Sequence, residues 1–117
     1  MEKHNIEDLI TLDLQTFLGL KAKNDTISIE SALEIGAYVA ANFLRIIYTK
    51  NKEIKPEEIN GVFGIVSNFY STYFEGQITE DDFQNMAKKS SELLQNTDFD
   101  EMSRTFFKNI ISKEKNN

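Results

Sequence analysis

The segment from Ile29 to about Tyr48 constrains the fold more than any other part of this sequence. On a helical wheel with about 100° per residue, its charged and larger polar side chains fall within an arc of roughly 120°. The rest of the circumference carries apolar side chains such as Leu33 and Phe43, or small ones. A helix that is apolar over two thirds of its surface needs other elements on several sides. We therefore predict a central helix over about residues 29–48.

Four further segments combine helical periodicity with helix start or stop signals. The first runs from about Ile6 to Leu18 and is expected to end at Gly19, with Asn5 as its cap. The third helix is predicted from Pro56 to Glu75, with Gly76 as its stop. The fourth begins after Thr79, which forms a capping box with Asp82. The fifth begins at Thr97 or Asp98.

The fold class follows from these five segments. No segment alternates polar and apolar residues with the period of a strand over a useful length. We predict an all-α fold, a compact bundle of about five helices in a single domain over residues 1–112, with a disordered tail over 113–117.

The composition argues against catalytic chemistry. The 117 residues include one His, His4 near the start, and no Cys or Trp. This excludes disulfide scaffolds, thiolate zinc sites and Cys–His nucleophiles. Two acidic stretches fail the ligand spacing of a calcium loop, and no phosphate-binding or hydrolase motif occurs. We expect no catalytic residue, no metal and no cofactor, and hence no enzyme.

The acidity of the chain is explained by its helix starts. The formal net charge is -6, from 13 Lys and Arg against 19 Asp and Glu. A carboxylate in the first turn stabilises a helix by about 0.3–1 kcal/mol through the macrodipole. The carboxylates at or near predicted helix starts are Glu7, Asp8, Glu30, Glu57, Glu58, Glu80, Asp81, Asp82, Asp98, Asp100 and Glu101. The charge therefore does not require a basic partner.

The predicted third helix has no charged residue between Glu58 and Glu75. Two glycines inside it each cost about 0.8–1 kcal/mol of helix propensity relative to Ala, which close approach of another backbone would offset. That backbone could belong to this chain, to a second copy, or to another protein. Within this chain the candidate is the central helix, where Ala32, Gly36 and Ala40 form a stripe of small residues. A neutral surface with tolerated glycines is the remaining interpretation. The side opposite the apolar residues carries Asn60, Gly61, Gly64, Ser67, Asn68, Ser71 and Thr72.

The last helix carries adjacent aromatic residues, Phe106 and Phe107. Since adjacent helical residues point about 100° apart, we expect that both cannot face the same core and that one protrudes. Phe107 is therefore a second candidate interface residue, on a helix that could dock on a partner.

These features predict a small acidic protein-binding module that acts as a regulator, adaptor, assembly helper or inhibitor. The candidate interface comprises Asn60, Gly61, Gly64, Ser67, Asn68 and Ser71, together with Phe107. The expected partner is another protein or a second copy in a homodimer. A cytoplasmic location is expected because no apolar segment suits a signal or a membrane span. The small size and AT-rich residue usage would suit an accessory protein of a phage or mobile element.

Two other functions stay open on the sequence. One is a DNA-associated transcriptional regulator in which Lys88 and Lys89, or the lysines of residues 50–55, contact phosphate, although a net charge of -6 opposes nucleic-acid binding. The other is a helical domain that binds a small ligand in a pocket among its Phe and Tyr residues.

Overall fold

The computed structural model describes residues 6–24 and 27–115, with side chains over 6–22 and 27–112. These residues form five helices and no strand. The prediction of an all-α bundle is confirmed. No helix within these residues is long and apolar enough to cross a lipid bilayer. In chain order the helices are α1 (Ile6–Asn24), α2 (Ile29–Asn51), α3 (Pro56–Tyr73), α4 (Glu80–Gln95) and α5 (Phe99–Lys115).

Helix α2 is the central element, as its sequence predicts. It packs against α1 and α3 and most extensively against α4. On the side of α5, the ring of Tyr38 stacks on that of Phe106 with their centroids 4.1 Å apart. Every residue from Ile35 to Ala41 is buried. Seven consecutive helical residues pass almost twice around the axis, so this part of α2 is covered on all sides.

Side-chain caps begin α2 and α4, at the starts that the sequence predicts for these two helices. The hydroxyl of Ser28 accepts the backbone N–H of Ser31 at 3.1 Å and starts α2. At α4 the capping box is complete, because Thr79 Oγ1 accepts the N–H of Asp82 at 3.1 Å and Asp82 Oδ2 accepts the N–H of Thr79 at 2.9 Å. These bonds satisfy N–H groups that lack partners within the helix.

Four predicted helix ends differ from the structure, and one of them is that of α2, which continues to Asn51 instead of ending at about Tyr48. Helix α1 continues through Gly19 to Asn24, because Leu20, just after the glycine, packs against the core and extends the buried side of the helix. Helix α3 ends at Tyr73, two residues before the predicted end, although Gly76 has the expected positive φ of 82°. Helix α5 continues to Lys115, past the predicted domain boundary at residue 112. The predicted Asn5 cap lies outside the described residues.

Helices α2, α3 and α4 meet closely at Gly36. A Cβ atom built on Gly36 would lie 2.6 Å from Met86 Sδ and 2.9 Å from the hydroxyl oxygen of Tyr70. That hydroxyl donates a hydrogen bond to the carbonyl oxygen of Ala32. One turn further along α2, the hydroxyl of the buried Ser90 donates to the carbonyl of Ala37 at 2.9 Å. The small residues of α2 therefore admit side chains from α3 and α4, which hydrogen-bond to its backbone.

Candidate protein-interaction surfaces

The polar side of α3 is exposed to solvent. We call it the uncharged face. The interpretation that this side is buried within the chain is wrong, because every residue of the face except Ser67 is exposed and Ser67 is half-buried. The opposite side of the helix supplies the core with Val62, Val66 and Tyr70. The uncharged face comprises Asn60, Gly61, Gly64, Ser67, Asn68, Ser71 and Thr72.

The two glycines of the uncharged face contact no other part of the protein. A Cβ atom built on Gly61 or Gly64 would have no neighbouring atom within 4 Å. The small-residue stripe of α2 does not approach them, since Gly36 of that stripe faces Met86 and Tyr70 instead. Close packing within this chain therefore does not account for the glycines of α3.

A shallow groove adjoins the uncharged face on the side of α1. Its volume is about 380 Å³, and Asn68 and Thr72 of the face form part of its wall. The opposite wall comes from α1, with Thr11 and Gln15 among its residues. Tyr73 lies at the same groove and has 47% of its surface exposed. The uncharged face is thus continuous with a groove of mixed polarity, whose lining also includes Glu7, Ile65 and Phe69.

Phe107 and Phe106 both pack against the core, and the expectation that one of them protrudes is wrong. The ring of Phe107 lies 4.3 Å from that of Phe17 on α1, while Phe106 stacks on Tyr38 of α2. Helix α5 lies against two helices at once, so residues about 100° apart each find an apolar neighbour. Phe107 stays half-buried, with part of its surface lining a second groove.

This second groove lies between α2 and α5, and we call it the α2/α5 groove. Its volume is about 670 Å³. The hydroxyl of the buried Ser103 donates to Asn42 Oδ1 at 2.9 Å and joins the two helices at the groove. The lining residues are Asn42, Asp100, Ser103, Arg104, Phe107, Lys108, Ile111 and Ser112. Of this lining the sequence predicted only Phe107 as an interface residue, although two basic residues four positions apart on α5 are a visible signal.

One ion pair lies beside the α2/α5 groove. Arg45 Nη2 on α2 lies 3.5 Å from Asp100 Oδ2 on α5, with both side chains substantially exposed. Such a pair contributes about 0–1 kcal/mol because water screens it. Its consequence is that Asp100, which lines the groove, already has a cationic partner on α2.

Burial raises the pKa of the Tyr70 phenol and of two further groups, and none of the three lies on the uncharged face. The pKa of the Asp13 carboxyl on α1 is raised by its partial burial. The pKa of Tyr38 is raised by burial and, to a lesser extent, by the nearby charge of Glu34. Both shifts have the direction that desolvation gives to an acid. Among the described residues, no three His, Cys, Asp or Glu side chains come together as a group that could hold a metal ion.

The lysines considered for phosphate contact are all exposed. Lys88 and Lys89 lie on α4, whereas Lys50, Lys52 and Lys55 lie at the end of α2 and the start of α3.

The chain matches no protein-family model, and no curated protein or solved structure shows significant similarity to it.

Proposed function

We propose that this protein is a protein-binding module that contacts its partner through the uncharged face of α3. The observation that supports the proposal is an exposed helix surface without a single charge. Exposed helix surfaces are normally rich in charged residues, and α4 of this chain has Glu80, Lys88 and Glu92 exposed. Interface cores are depleted in charge because a buried charge must lose its hydration. The uncharged face shares this lack of charge, and its small polar side chains would let a partner approach the helix closely.

The glycines at positions 61 and 64 support the same proposal. Each costs the helix about 0.8–1 kcal/mol relative to Ala. No atom of this chain lies where their side chains would be. A partner helix on the uncharged face would approach the α3 backbone closely there, and its added packing would offset the propensity cost. A binding site that lowers stability in this way agrees with the usual trade-off between function and stability.

Gly64→Lys tests the proposal without disturbing the fold. Because space is open at this position, the monomer should be as stable as the wild type or more stable by up to about 1 kcal/mol. Binding to the partner should weaken by at least about tenfold, or about 1.4 kcal/mol, since the ammonium group would be buried in the interface. The measurements are thermal melting and co-purification from the native cell with mass spectrometry.

Gly19→Lys is the matched control, because Gly19 is also an exposed helical glycine with no atom within 4 Å of a built Cβ. A partner captured by the wild type and by Gly19→Lys, but not by Gly64→Lys, supports the proposal. Light scattering of the purified wild type, Gly64→Lys and Gly19→Lys shows whether the partner is a second copy of this chain. In that case the wild type and Gly19→Lys form an oligomer, and Gly64→Lys does not. Equal capture by both variants and an unchanged oligomeric state would show that the uncharged face is not the interface.

A further inference from the structure

The α2/α5 groove carries unpaired positive charge in an acidic protein. The chain has two arginines, Arg45 and Arg104. Arg45 faces Asp100, whereas Arg104 and Lys108 have no carboxylate partner among the described side chains. The latter two lie four residues apart on α5, and both line the groove. At physiological salt, charges further away than about 8 Å are largely screened. Asp100 also lines the groove, but it is paired with Arg45, so a ligand there meets a net positive charge despite the net charge of -6 of the chain.

A fixed hydrogen-bond donor faces the same groove. Asn42 Oδ1 accepts the hydroxyl of Ser103, which assigns the other end of this side chain as the amide nitrogen. That nitrogen has no hydrogen-bond partner among the residues that the structure describes. Because Ser103 is buried, it holds the amide in place. The groove thus presents donors and cations, which suit carboxylate oxygens.

Apolar side chains complete the groove. Phe107 and Ile111 lie one turn apart on α5, and both line it. The Phe107 ring is held 4.3 Å from Phe17, so its position is set before anything binds. Ile111 has 40% of its surface exposed. An occupant therefore needs an apolar side as well as negative charge.

The shape of the groove favours a helix over a small molecule. The lining extends from Asp100 to Ser112, which corresponds to about 18 Å along α5 at 1.5 Å per residue. Small-molecule sites bury at least about 70–90% of their ligand, whereas this groove is open to solvent. An amphipathic helix needs only one side covered, and three turns of it would extend along the groove. We infer that the α2/α5 groove binds an acidic amphipathic helix of a partner protein.

The test uses two fluorescein-labelled peptides of 16 residues, each with Leu at positions i, i+3, i+4 and i+7. One carries Glu beside the leucines and the other carries Lys at the same positions. Fluorescence anisotropy with the full chain should show the Glu peptide binding at least about tenfold more tightly than the Lys peptide, since like charges in contact oppose binding. Arg104→Glu/Lys108→Glu should weaken the Glu peptide by about tenfold or more.

Lys50→Glu/Lys88→Glu is the control, because it changes the net charge equally at exposed lysines that do not line the groove. It should leave the affinity for the Glu peptide within about twofold of the wild type. Equal weakening by both double variants, equal binding of both peptides, or no binding of the Glu peptide at 0.5 mM would overturn the inference. So would self-association of the wild type that Arg104→Glu/Lys108→Glu abolishes, because the occupant would then be a second copy. Gly64→Lys should bind the Glu peptide normally, so this site and the uncharged face are tested separately.

Discussion

Replacing Gly36 with valine is expected to destabilise the protein by about 3 kcal/mol, at the upper end of what overpacking a core costs. A Cβ atom at this position meets Met86 Sδ at 2.6 Å and the Tyr70 hydroxyl at 2.9 Å. The Met86 side chain is flexible and can move. The Tyr70 hydroxyl is held by its hydrogen bond to Ala32, and its ring is buried. The two additional methyl groups of valine therefore have no space unless α3 or α4 shifts away from α2.

The measurement is thermal and urea unfolding of Gly36→Val beside Gly64→Val. Both replacements remove a helical glycine, which alone should stabilise each helix by a few tenths of a kcal/mol. Gly64 has open space around it, so its variant should melt at or above the wild-type temperature. Gly36→Val should melt roughly 10 °C lower or more. Equal melting temperatures for the two variants would show that Tyr70 and Met86 do not confine position 36.

The sequence could not distinguish these glycines. Gly36, Gly61 and Gly64 each interrupt a helical pattern, and local propensity gives them the same cost. Only the packing of helices distant in sequence determines that Gly36 meets two side chains and that the other two meet none. The small residues of α2 do meet α3, but through the side chain of Tyr70 and not at Gly61 or Gly64.

Local signals predicted the helices more reliably than they predicted the contacts. The Thr79–Asp82 capping box and the wide apolar surface of α2 are properties of neighbouring residues, and both are present in the structure. The end of α1 was wrong because the packing of Leu20 against the core outweighs the stop signal of Gly19. Tertiary contacts commonly override helix propensity in this way.

Apart from Phe107, the lining of the α2/α5 groove was not predicted, for a related reason. Its hydrogen bond joins Ser103 to Asn42, which lies 61 residues earlier in the chain. Nothing in the spacing of the sequence indicates that these two polar residues meet. A pair of basic residues such as Arg104 and Lys108 is usually an ordinary solvated surface. The groove becomes a candidate site only with two facts from the structure. Phe107 and Ile111 line it beside the basic residues, and Arg45 is paired with Asp100.

Alkaline pH is expected to unfold the protein through Tyr70. Burial raises the pKa of this phenol far above its usual value, and the neighbouring Tyr73 adds to the shift while the backbone of Gly36 opposes it. Ionisation would also remove the proton that the hydroxyl donates to Ala32 and leave a charge facing a carbonyl oxygen. In the unfolded chain the same phenol ionises near pH 10. Between these two pKa values the folded protein therefore holds a proton that the unfolded chain has lost.

The sign of the effect follows from this proton difference. Because the folded state binds more protons, the free energy of unfolding falls as pH rises, by about 1.4 kcal/mol per pH unit above about pH 10. The stabilisation is complete below pH 10 and is lost progressively above it. Lysines also titrate in this range, so the informative quantity is the difference between the wild type and Tyr70→Phe, which share them.

Urea unfolding at pH 8, 10, 11 and 12 measures that difference. At pH 8, Tyr70→Phe should be less stable by about 1 kcal/mol, the usual contribution of one hydrogen bond. Because phenylalanine does not ionise, the variant should lose less stability on going to pH 12, and the two curves should converge and then cross. Tyr48→Phe is the control, since half of the Tyr48 surface is exposed, and its curve should stay parallel to that of the wild type. Parallel curves for Tyr70→Phe and the wild type between pH 10 and 12 would contradict the assignment, because the Tyr70 proton would then contribute nothing to the alkaline loss of stability.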